Sequence, residues 1–155
     1  MRNIVILDLD GVLITTPSWK ADEVHEDGYS SFNEIAVHNL NTLLKNMSNA
    51  ELWLSSSRRR TKTLDEFRLI FLNRGINFKL KGYLPGAERH NVSRYEEIRA
   101  FLSHERMKNY LILDDDSSLE NLLPEQKRNW VKTKPLLGFD GEKLDEALKI
   151  LEQWS

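Results

Sequence analysis

Short apolar runs that alternate with amphipathic segments constrain the fold of this chain more than any other feature of its sequence. The first run, residues 3–7 (NIVIL), is apolar and β-branched, which is typical of a strand covered on both faces in a parallel sheet. Four further candidate strands follow along the chain, at 51–54 (ELWL), 77–83, 110–113 (YLIL) and 129–132 (NWVK). Because helical patterns separate these runs, the sequence predicts a three-layer, Rossmann-like α/β fold with about five mainly parallel strands and helices on both faces.

The helical patterns between the strands begin with residues that cap helices. Ser31, Thr63 and Ser93 each precede a glutamate by three residues, the signature of a capping box, in which two side chains satisfy free backbone groups. Asp140 is expected to cap a last helix that runs to Trp154. The predicted element order is therefore β-α-β-α-β-α-β-(short α)-β-α.

The length of 155 residues suits one hydrophobic core, so a single domain over residues 1–155 is expected. A hydrophobic fraction of 40% beside 30% charged residues excludes a disordered or collagen-like chain. No apolar run approaches the ~20 residues of a membrane-spanning helix, and the apolar residues after Met1-Arg2-Asn3 are too few for a signal peptide. The sequence therefore predicts no membrane association.

The chain has no cysteine, which excludes disulfides, thiolate zinc sites and a cysteine nucleophile. Such a composition agrees with a reducing compartment, and a cytoplasmic location is expected. The 22 basic and 24 acidic residues give a net charge of -2, so the chain as a whole does not attract nucleic acid. A nucleic-acid partner would have to be recognised locally.

Polar residues collect where the candidate strands end, at the sheet edge that binds ligands in open α/β folds. Asp8, Asp10 and Gly11 follow the first strand, residues 55–57 (SSS) the second, and residues 114–116 (DDD) the fourth. Two carboxylates ~4 Å apart repel each other by roughly 4 kcal/mol at an effective dielectric constant of about 20, so a cluster of them requires a cation. Oxygen ligands of this type suit Mg²⁺, above all where a substrate phosphate shares its coordination. The sequence therefore predicts magnesium and phosphate at one site.

Three motifs in these positions resemble those of the haloacid dehalogenase (HAD) superfamily of phosphotransferases. They are residues 8–12 (DLDGV) after the first strand, a serine that closes the second, and residues 113–115 (LDD) that close the fourth. In finer detail, residues 94–98, 110–117 and 131–148 look like the small HAD domains of so-called Swiss-army-knife RNA-repair proteins. The resemblance covers nearly the whole chain and implies a phosphatase with a role in nucleic acid repair.

The superfamily resemblance implies roles for the acidic residues. Asp8 would be the nucleophile that becomes an aspartyl phosphate, and Asp10 the general acid and base. Their spacing suits both roles, since alternate strand residues point the same way, and Gly11 lets the chain turn closely past the phosphate. Mg²⁺ would be held by the Asp8 carboxylate and the Asp10 main-chain carbonyl. The fourth motif would add Asp115, with Asp114 as the alternative.

The second and third motifs would bind the phosphate. Ser55 would donate its hydroxyl to a phosphoryl oxygen, with Ser56 or its amide assisting. The third motif needs a cation, for which the superfamily usually supplies lysine. Arg94 stands instead at the start of the helix before the fourth strand. A basic residue at this position opposes the helix dipole and so needs another reason to be there. Arg94 is therefore the candidate for this cation, with Lys81 as the substitute. This departure bears on activity, because arginine and lysine present different donors to a phosphate.

Two segments beside the expected site have two interpretations each. Arg58 and the two arginines that follow it form either a solvated loop or a contact to the backbone phosphates of a nucleic acid, with Arg58 as the candidate substrate-binding residue. The polar segment 15–30 is long for a loop between a strand and a helix. It is either a functional lid or a mobile loop.

The intervals between the motifs leave no room for a folded cap domain of the kind that encloses small metabolites in related phosphatases. An open site suits a phosphate on a large molecule. The sequence therefore predicts a magnesium-dependent phosphomonoesterase, a hydrolase that works through an aspartyl phosphate on an RNA or DNA end or on a nucleotide. The alternative is a non-catalytic phosphate-binding or phospho-signalling module of the same fold.

Overall fold

A parallel sheet forms the centre of the fold in a computed structural model, which describes residues 2–86, 88–89 and 91–154. Its five strands are β1 (Asn3–Leu7), β2 (Ala50–Leu54), β3 (Leu80–Tyr83), β4 (Asn109–Asp114) and β5 (Trp130–Lys132). They lie in the order β3-β2-β1-β4-β5, and every neighbouring pair is parallel. The predicted α/β sheet is confirmed, although β3 is shorter than the predicted run at 77–83.

Helices cover both faces of this sheet. The α-helices are α1 (Glu34–Lys45), α2 (Leu64–Asn73), α3 (Arg94–His104), α4 (Pro124–Lys127) and α5 (Gly141–Glu152), and 3₁₀ helices span Ser57–Arg60 and Ser117–Asn121. The core on one face takes residues from α1, α2 and α5, and the core on the other from α3 and the second 3₁₀ helix. This is the predicted three-layer, Rossmann-like arrangement. Among the residues that the structure describes, no helix combines the length and apolar character needed to cross a bilayer.

β1 is the central strand, and all of its residues are buried. Val5 and Leu7 belong to the core beneath α1 and α2, whereas Ile4 and Ile6 belong to the core beneath α3, because side chains alternate across a strand. Burying one such aliphatic side chain stabilises the fold by about 1.5–3 kcal/mol. β1 therefore joins both helical layers.

The register of β1 aligns the residues that follow the three central strands. Leu7 lies level with Leu54 of β2 and with Leu113 of β4. Backbone pairing continues one residue further, since Asp8 N donates to Leu113 O at 3.1 Å and Ser55 N donates to Leu7 O at 2.8 Å. The polar residues predicted at these strand ends therefore come out at the same edge of the sheet.

Most of the helix starts agree with the capping patterns in the sequence. Thr63 forms a complete capping box at α2, since its Oγ1 accepts the N–H of the glutamate three residues later at 3.1 Å and its own N–H donates to that carboxylate at 2.8 Å. Ser93 accepts the corresponding backbone N–H at α3 at 3.1 Å, and Asp140 does so at α5 at 3.1 Å. These three boundaries depend on local chemistry that the sequence contains.

The prediction that Ser31 caps α1 is wrong. Asn33 is the capping residue, and its Oδ1 accepts the N–H of Ala36 at 3.1 Å. Ser31 N instead donates to Glu23 O at 2.8 Å, and Asn33 N donates to Leu13 O at 2.7 Å. These longer-range backbone bonds hold the preceding segment extended, so the helix begins two residues later than the capping pattern indicates.

The polar segment 15–30 is fastened to the rest of the fold by two arginines. Arg74, which follows α2, contacts the Asp27 carboxylate at 2.6 and 2.9 Å and the Ser30 carbonyl at 2.8 Å. Hydrogen bonds from Arg74 hold the pKa of Asp27 well below its ordinary value. The second arginine, Arg58, reaches Ser30 Oγ at 3.1 Å from the loop that follows β2. The segment therefore lies between α2 and the functional edge of the sheet.

Candidate active site

Three carboxylates meet at the edge of the sheet where β1 and β4 end. Asp8 directly follows β1 and is 5% exposed, and Asp114, the last residue of β4, is fully buried. Asp115 is the third member, and one oxygen atom from each carboxylate lies within 4.8 Å of the other two. The structure thus brings Asp8 together with both residues that the sequence offered as its partner in the fourth motif.

Backbone hydrogen bonds hold the two buried carboxylates in place. Asp8 Oδ1 accepts the N–H of Leu9 at 2.8 Å, and Asp114 Oδ1 accepts the N–H of Asp116 at 3.0 Å. Asp116 itself turns away to cap the following 3₁₀ helix, where its Oδ1 accepts the N–H of Ser118 at 2.8 Å. The run of three aspartates therefore divides into two members of the cluster and one cap.

Gly11 leaves the space that the cluster occupies. Its φ of +80° lies in the left-handed region that glycine adopts without steric cost. A Cβ at this position would overlap the carboxylate of Asp115. Thr133 Oγ1 donates to the Gly11 carbonyl at 2.6 Å and fixes the turn from the side of β5. In the structure, Gly11 therefore allows the turn to pass close to the Asp115 carboxylate. Its role toward a phosphate stays a prediction.

The charges of the cluster are only partly balanced. Burial, and then the charge of Asp114, raise the pKa of Asp8 well above its ordinary value. Burial also raises the pKa of Asp114. Burial, followed by the charge of Asp114, raises the pKa of Asp115 to about 6. Burial and mutual repulsion make these carboxylates resist ionisation, and a bound cation would offset both effects. All of their ligand atoms are oxygen, which fits a hard divalent cation such as Mg²⁺.

Arg94, the first residue of α3, is the cation of this cluster. Its Nη1 lies 2.6 Å from Asp114 Oδ2 and 3.4 Å from Asp8 Oδ2, and its side chain is 10% exposed. Burial opposes the charge of Arg94, but the nearby carboxylates of Asp114 and Asp8 outweigh burial and raise its pKa. Lys81, the predicted substitute, is an exposed residue of the edge strand β3. The structure therefore places Arg94, rather than Lys81, against the carboxylates.

Two buried side-chain polar atoms of the described residues have no hydrogen-bond partner, and both belong to predicted site residues. They are the hydroxyl Oγ of Ser55 and the Nε of Arg94. An unpaired buried polar group costs about 1–3 kcal/mol, so two of them at one edge indicate a ligand that accepts hydrogen bonds. The Ser56 hydroxyl oxygen accepts the N–H of Arg58 at 3.2 Å and caps the 3₁₀ helix, which leaves its hydrogen as a donor for a ligand.

Arg59 is a structural residue that the sequence analysis missed. It is 3% exposed, and its Nη1 donates to the carbonyls of Ser55 at 2.6 Å and Ser56 at 3.0 Å. Its Nε donates to Leu84 O at 2.9 Å, and its Nη2 pairs with Glu97. Both interpretations of the arginine run, a solvated loop and a phosphate contact, are therefore wrong for this residue.

A signal for this buried pair was present in the helix rather than in the arginine run. Glu97 lies beside Ile98 on the face of α3 that also carries Phe101, and all three side chains are buried. An acidic residue on the apolar face of a helix requires a buried cation as its partner. Arg60, in contrast with Arg59, is exposed and donates to the Arg89 carbonyl at 2.8 Å.

Arg58 is bound to Asp10, which the resemblance implies as the general acid and base. Its Nε lies 2.9 Å from Asp10 Oδ2 and its Nη2 lies 2.9 Å from Asp10 Oδ1. The Asp10 side chain is 55% exposed, and it lies outside the cluster of three carboxylates from Asp8, Asp114 and Asp115. The candidate substrate-binding arginine is therefore occupied by a protein carboxylate.

Comparison with protein families finds a match over most of the chain. The model of the family described as "HAD domain in Swiss Army Knife RNA repair proteins" matches residues 4–144. This range contains every residue of the site described above, from the strand-end aspartates to the arginine of α3. Searches of the curated proteins and of the solved structures return no match.

Proposed function

We propose, because this chain belongs to the family of HAD domains in Swiss Army Knife RNA repair proteins, that it is a magnesium-dependent phosphomonoesterase acting through an aspartyl phosphate. Membership of the family supports a phosphatase-type function of the HAD class. The observation that carries the finer proposal is the buried cluster of Asp8, Asp114 and Asp115 with Arg94 against it. The proposed substrate is a phosphate at a polynucleotide end or on a nucleotide.

The acidic cluster would hold Mg²⁺. The carboxylates of Asp8, Asp114 and Asp115, together with the Asp10 main-chain carbonyl, offer the oxygen ligands that this ion prefers. When bound, Mg²⁺ would neutralise the charge of the substrate phosphate, so that a negatively charged nucleophile can approach it.

Asp8 and Asp10 would carry the two half-reactions. In the first, an Asp8 carboxylate oxygen attacks phosphorus, the bond from phosphorus to the ester oxygen breaks, and that oxygen takes a proton from Asp10. In the second, a water molecule attacks phosphorus and gives its proton to Asp10. The bond between phosphorus and Asp8 then breaks, which releases inorganic phosphate and restores both carboxyl groups.

Ser55 and Arg94 would bind the transferred phosphoryl group. Their unpartnered donors, the hydroxyl of Ser55 and the Nε of Arg94, have the polarity that phosphoryl oxygens require. Arg94 also remains against Asp8, where its charge favours the carboxylate as a leaving group in the second half-reaction.

The connections around the site support a large substrate. The segment between β1 and α1 consists of turns and isolated bridges, and the segment between β2 and β3 holds one 3₁₀ helix and α2. Connections of this size support a site without a folded cap, which a polynucleotide end can reach. We further propose that residues 1–155 form a single domain, and a cytoplasmic location remains an expectation from the composition alone.

A non-catalytic phosphate-binding module is the second candidate, because Arg58 holds Asp10 outside the acidic cluster. In such a module Ser55 and Arg94 would bind a phosphate, and Asp10 would not reach the ester oxygen. This candidate predicts tight binding of phosphorylated partners without release of phosphate.

Phosphate release from a substrate panel separates the two candidates. The panel contains RNA and DNA oligonucleotides phosphorylated at the 3′ or 5′ end, mononucleotides and an aryl phosphate, each with Mg²⁺ and with a chelator. We expect release that requires Mg²⁺ and falls at least about a thousandfold in Asp8→Asn. Asp65→Asn makes the same chemical change on the exposed surface of α2 and serves as the matched control.

Each outcome of this assay has a defined meaning. Undiminished release in Asp8→Asn, or in chelator, contradicts the proposed mechanism. Binding of phosphorylated oligonucleotides without release by a folded protein supports the binding module instead.

A further inference from the structure

One side chain occupies both carboxylate oxygens of Asp10. Arg58 forms a two-pronged ion pair with them, with both nitrogen to oxygen distances at 2.9 Å. Arginine and carboxylate match each other in this geometry, which makes the pair stronger than a single hydrogen bond. A proton donor for an ester oxygen beside Asp8 must therefore leave Arg58 before it can act.

The same guanidinium group also holds the polar segment 15–30. Its Nη2 lies 2.8 Å from Asp22 Oδ2, and its Nη1 lies 3.2 Å from Tyr29 Oη and 3.1 Å from Ser30 Oγ. Arg58 is thus the link between the proposed acid and a segment that borders the site. Its position depends on contacts from three separate parts of the chain.

The cations around this ion pair already have carboxylate partners, so an incoming anion has to replace one of them. Arg58, Lys62 and Arg74 all lie within 6 Å of the centre of the Tyr29 ring, and each of them forms a salt bridge to a carboxylate of this chain. The side chain of Arg58 is 23% exposed and that of Asp10 is 55% exposed. A charged group of a bound molecule can therefore reach the pair from solvent.

A phosphodiester presents two oxygen atoms in the geometry that the Asp10 carboxylate now presents to Arg58. The transferred phosphate has other donors available, since Ser55 Oγ and Arg94 Nε are buried and unpartnered. The anion that reaches Arg58 would then be the next phosphate along a polynucleotide rather than the one being removed.

We propose that Arg58 exchanges the carboxylate of Asp10 for a phosphodiester of the substrate, and that this exchange releases Asp10 for proton transfer. Arg58 is then a positioning and specificity residue that selects a phosphate at the end of a polynucleotide over an isolated phosphate. No covalent bond changes in the exchange, since one anion replaces another beside the guanidinium. The inference rests on the proposed function, and its test separates the two.

The kinetic test compares phosphorylated dinucleotides with the matching mononucleotides. We expect the wild type to prefer the dinucleotide in kcat/KM by at least about tenfold, with part of the difference in kcat. Arg58→Gln should reduce the preference to about one, and Arg58→Lys, which retains the charge without the two-pronged geometry, should give an intermediate value. Arg99→Gln removes one exposed positive charge from α3 and should retain the wild-type preference. Equal losses on both substrates in Arg58→Gln would mean that Arg58 is only structural.

A second readout is independent of turnover. In Asp8→Asn protein labelled with ¹⁵N, the Arg58 Nε–H resonance is assigned by its loss in Arg58→Gln and followed during titration with a phosphorylated dinucleotide or with inorganic phosphate. We expect the dinucleotide to shift this resonance at concentrations at which inorganic phosphate leaves it in place. A resonance that the dinucleotide does not move overturns the exchange, whatever the activity. If the resonance moves but the wild-type protein hydrolyses none of the substrates, the exchange is supported and the proposed hydrolysis is contradicted.

Discussion

Arg59 and Glu97 form a buried ion pair that connects the loop after β2 with α3, and their side chains are 1% and 7% exposed. Arg59 also binds the carbonyls of Ser55 and Ser56, and Glu97 lies one turn after Arg94 in the same helix. The pair therefore fixes the separation between Ser55 and Arg94, which we propose as the hydrogen-bond donors to the phosphate. Its contribution is to geometry as well as to stability.

Loss of this pair should destabilise the fold. Because Arg59→Met leaves the Glu97 carboxylate buried without a partner, we expect the free energy of unfolding to fall by about 3–5 kcal/mol. Arg60→Met removes the same kind of side chain at the exposed neighbouring position and should change it by no more than about 0.5 kcal/mol. Unfolding in urea measures both values, and a similar cost for the two variants would contradict the structural role of Arg59.

Substitution of the proposed nucleophile should stabilise the protein in the absence of metal. Burial and the charge of Asp114 raise the pKa of the Asp8 carboxyl group, so its negative charge is unfavourable in the folded protein. Asp8→Asn removes this charge and retains the shape of the side chain. We expect the variant to unfold at a higher temperature than the wild type in chelator, whereas Mg²⁺ should raise the unfolding temperature of the wild type far more than that of the variant. A lower unfolding temperature of the metal-free variant would show that the charge of Asp8 is not a cost to the fold.

Binding of Mg²⁺ should weaken as the pH falls. In the metal-free protein, burial and then the charge of Asp114 raise the pKa of Asp115 from 3.8 to about 6. The folded state binds the Asp115 proton more tightly than the unfolded state does. The contribution of this proton to the free energy of unfolding is therefore fully present below about pH 4 and is lost as the pH rises through about 6. Protons and Mg²⁺ compete for the same oxygen atoms, so the metal should stabilise the protein little at about pH 5 and clearly at about pH 7.5.

Thermal unfolding with and without Mg²⁺ across this pH range checks the competition. Asp115→Asn should flatten the pH dependence of the stability gained from Mg²⁺, because it removes one of the titrating ligands. A gain that is the same at both ends of the range would exclude these carboxylates as the binding site.

A methyl group at Gly11 should disrupt the cluster through Asp115. Gly11→Ala places a Cβ where the Asp115 carboxylate lies, at a φ of +80° that alanine adopts only at a cost of about 1–2 kcal/mol. We expect loss of Mg²⁺ binding, and a smaller loss of stability when Gly11→Ala is made in an Asp115→Ala background. Gly141→Ala, at a position where a Cβ meets open space, is the control and should be neutral. Calorimetric titration with Mg²⁺ and urea unfolding provide the two measurements, and independent effects at the two positions would contradict the overlap.

Much of the site could be predicted because its framework is local. The apolar runs of β1 and β4 are strands by composition, and in a parallel sheet the residues after such strands share one edge. Asp8 and Asp114 therefore follow from the sequence as neighbours. The caps at Thr63 and Ser93 are equally local, whereas the cap of α1 is not, because backbone bonds to distant residues displaced it from Ser31 to Asn33.

The three consecutive arginines show what could not be predicted from the sequence. The sequence determines their charge and their place after β2, but not the environment of each side chain. Arg59 is buried against Glu97, 38 residues away, and Arg58 pairs with Asp10, 48 residues away, whereas Arg60 remains exposed. Neighbouring residues in a 3₁₀ turn point in different directions, and each direction meets a different element of the fold. Only the packing of that turn between α3 and the segment 15–30 decides which arginine is buried, because its partners are brought there by the tertiary structure and not by any pattern near it in the chain.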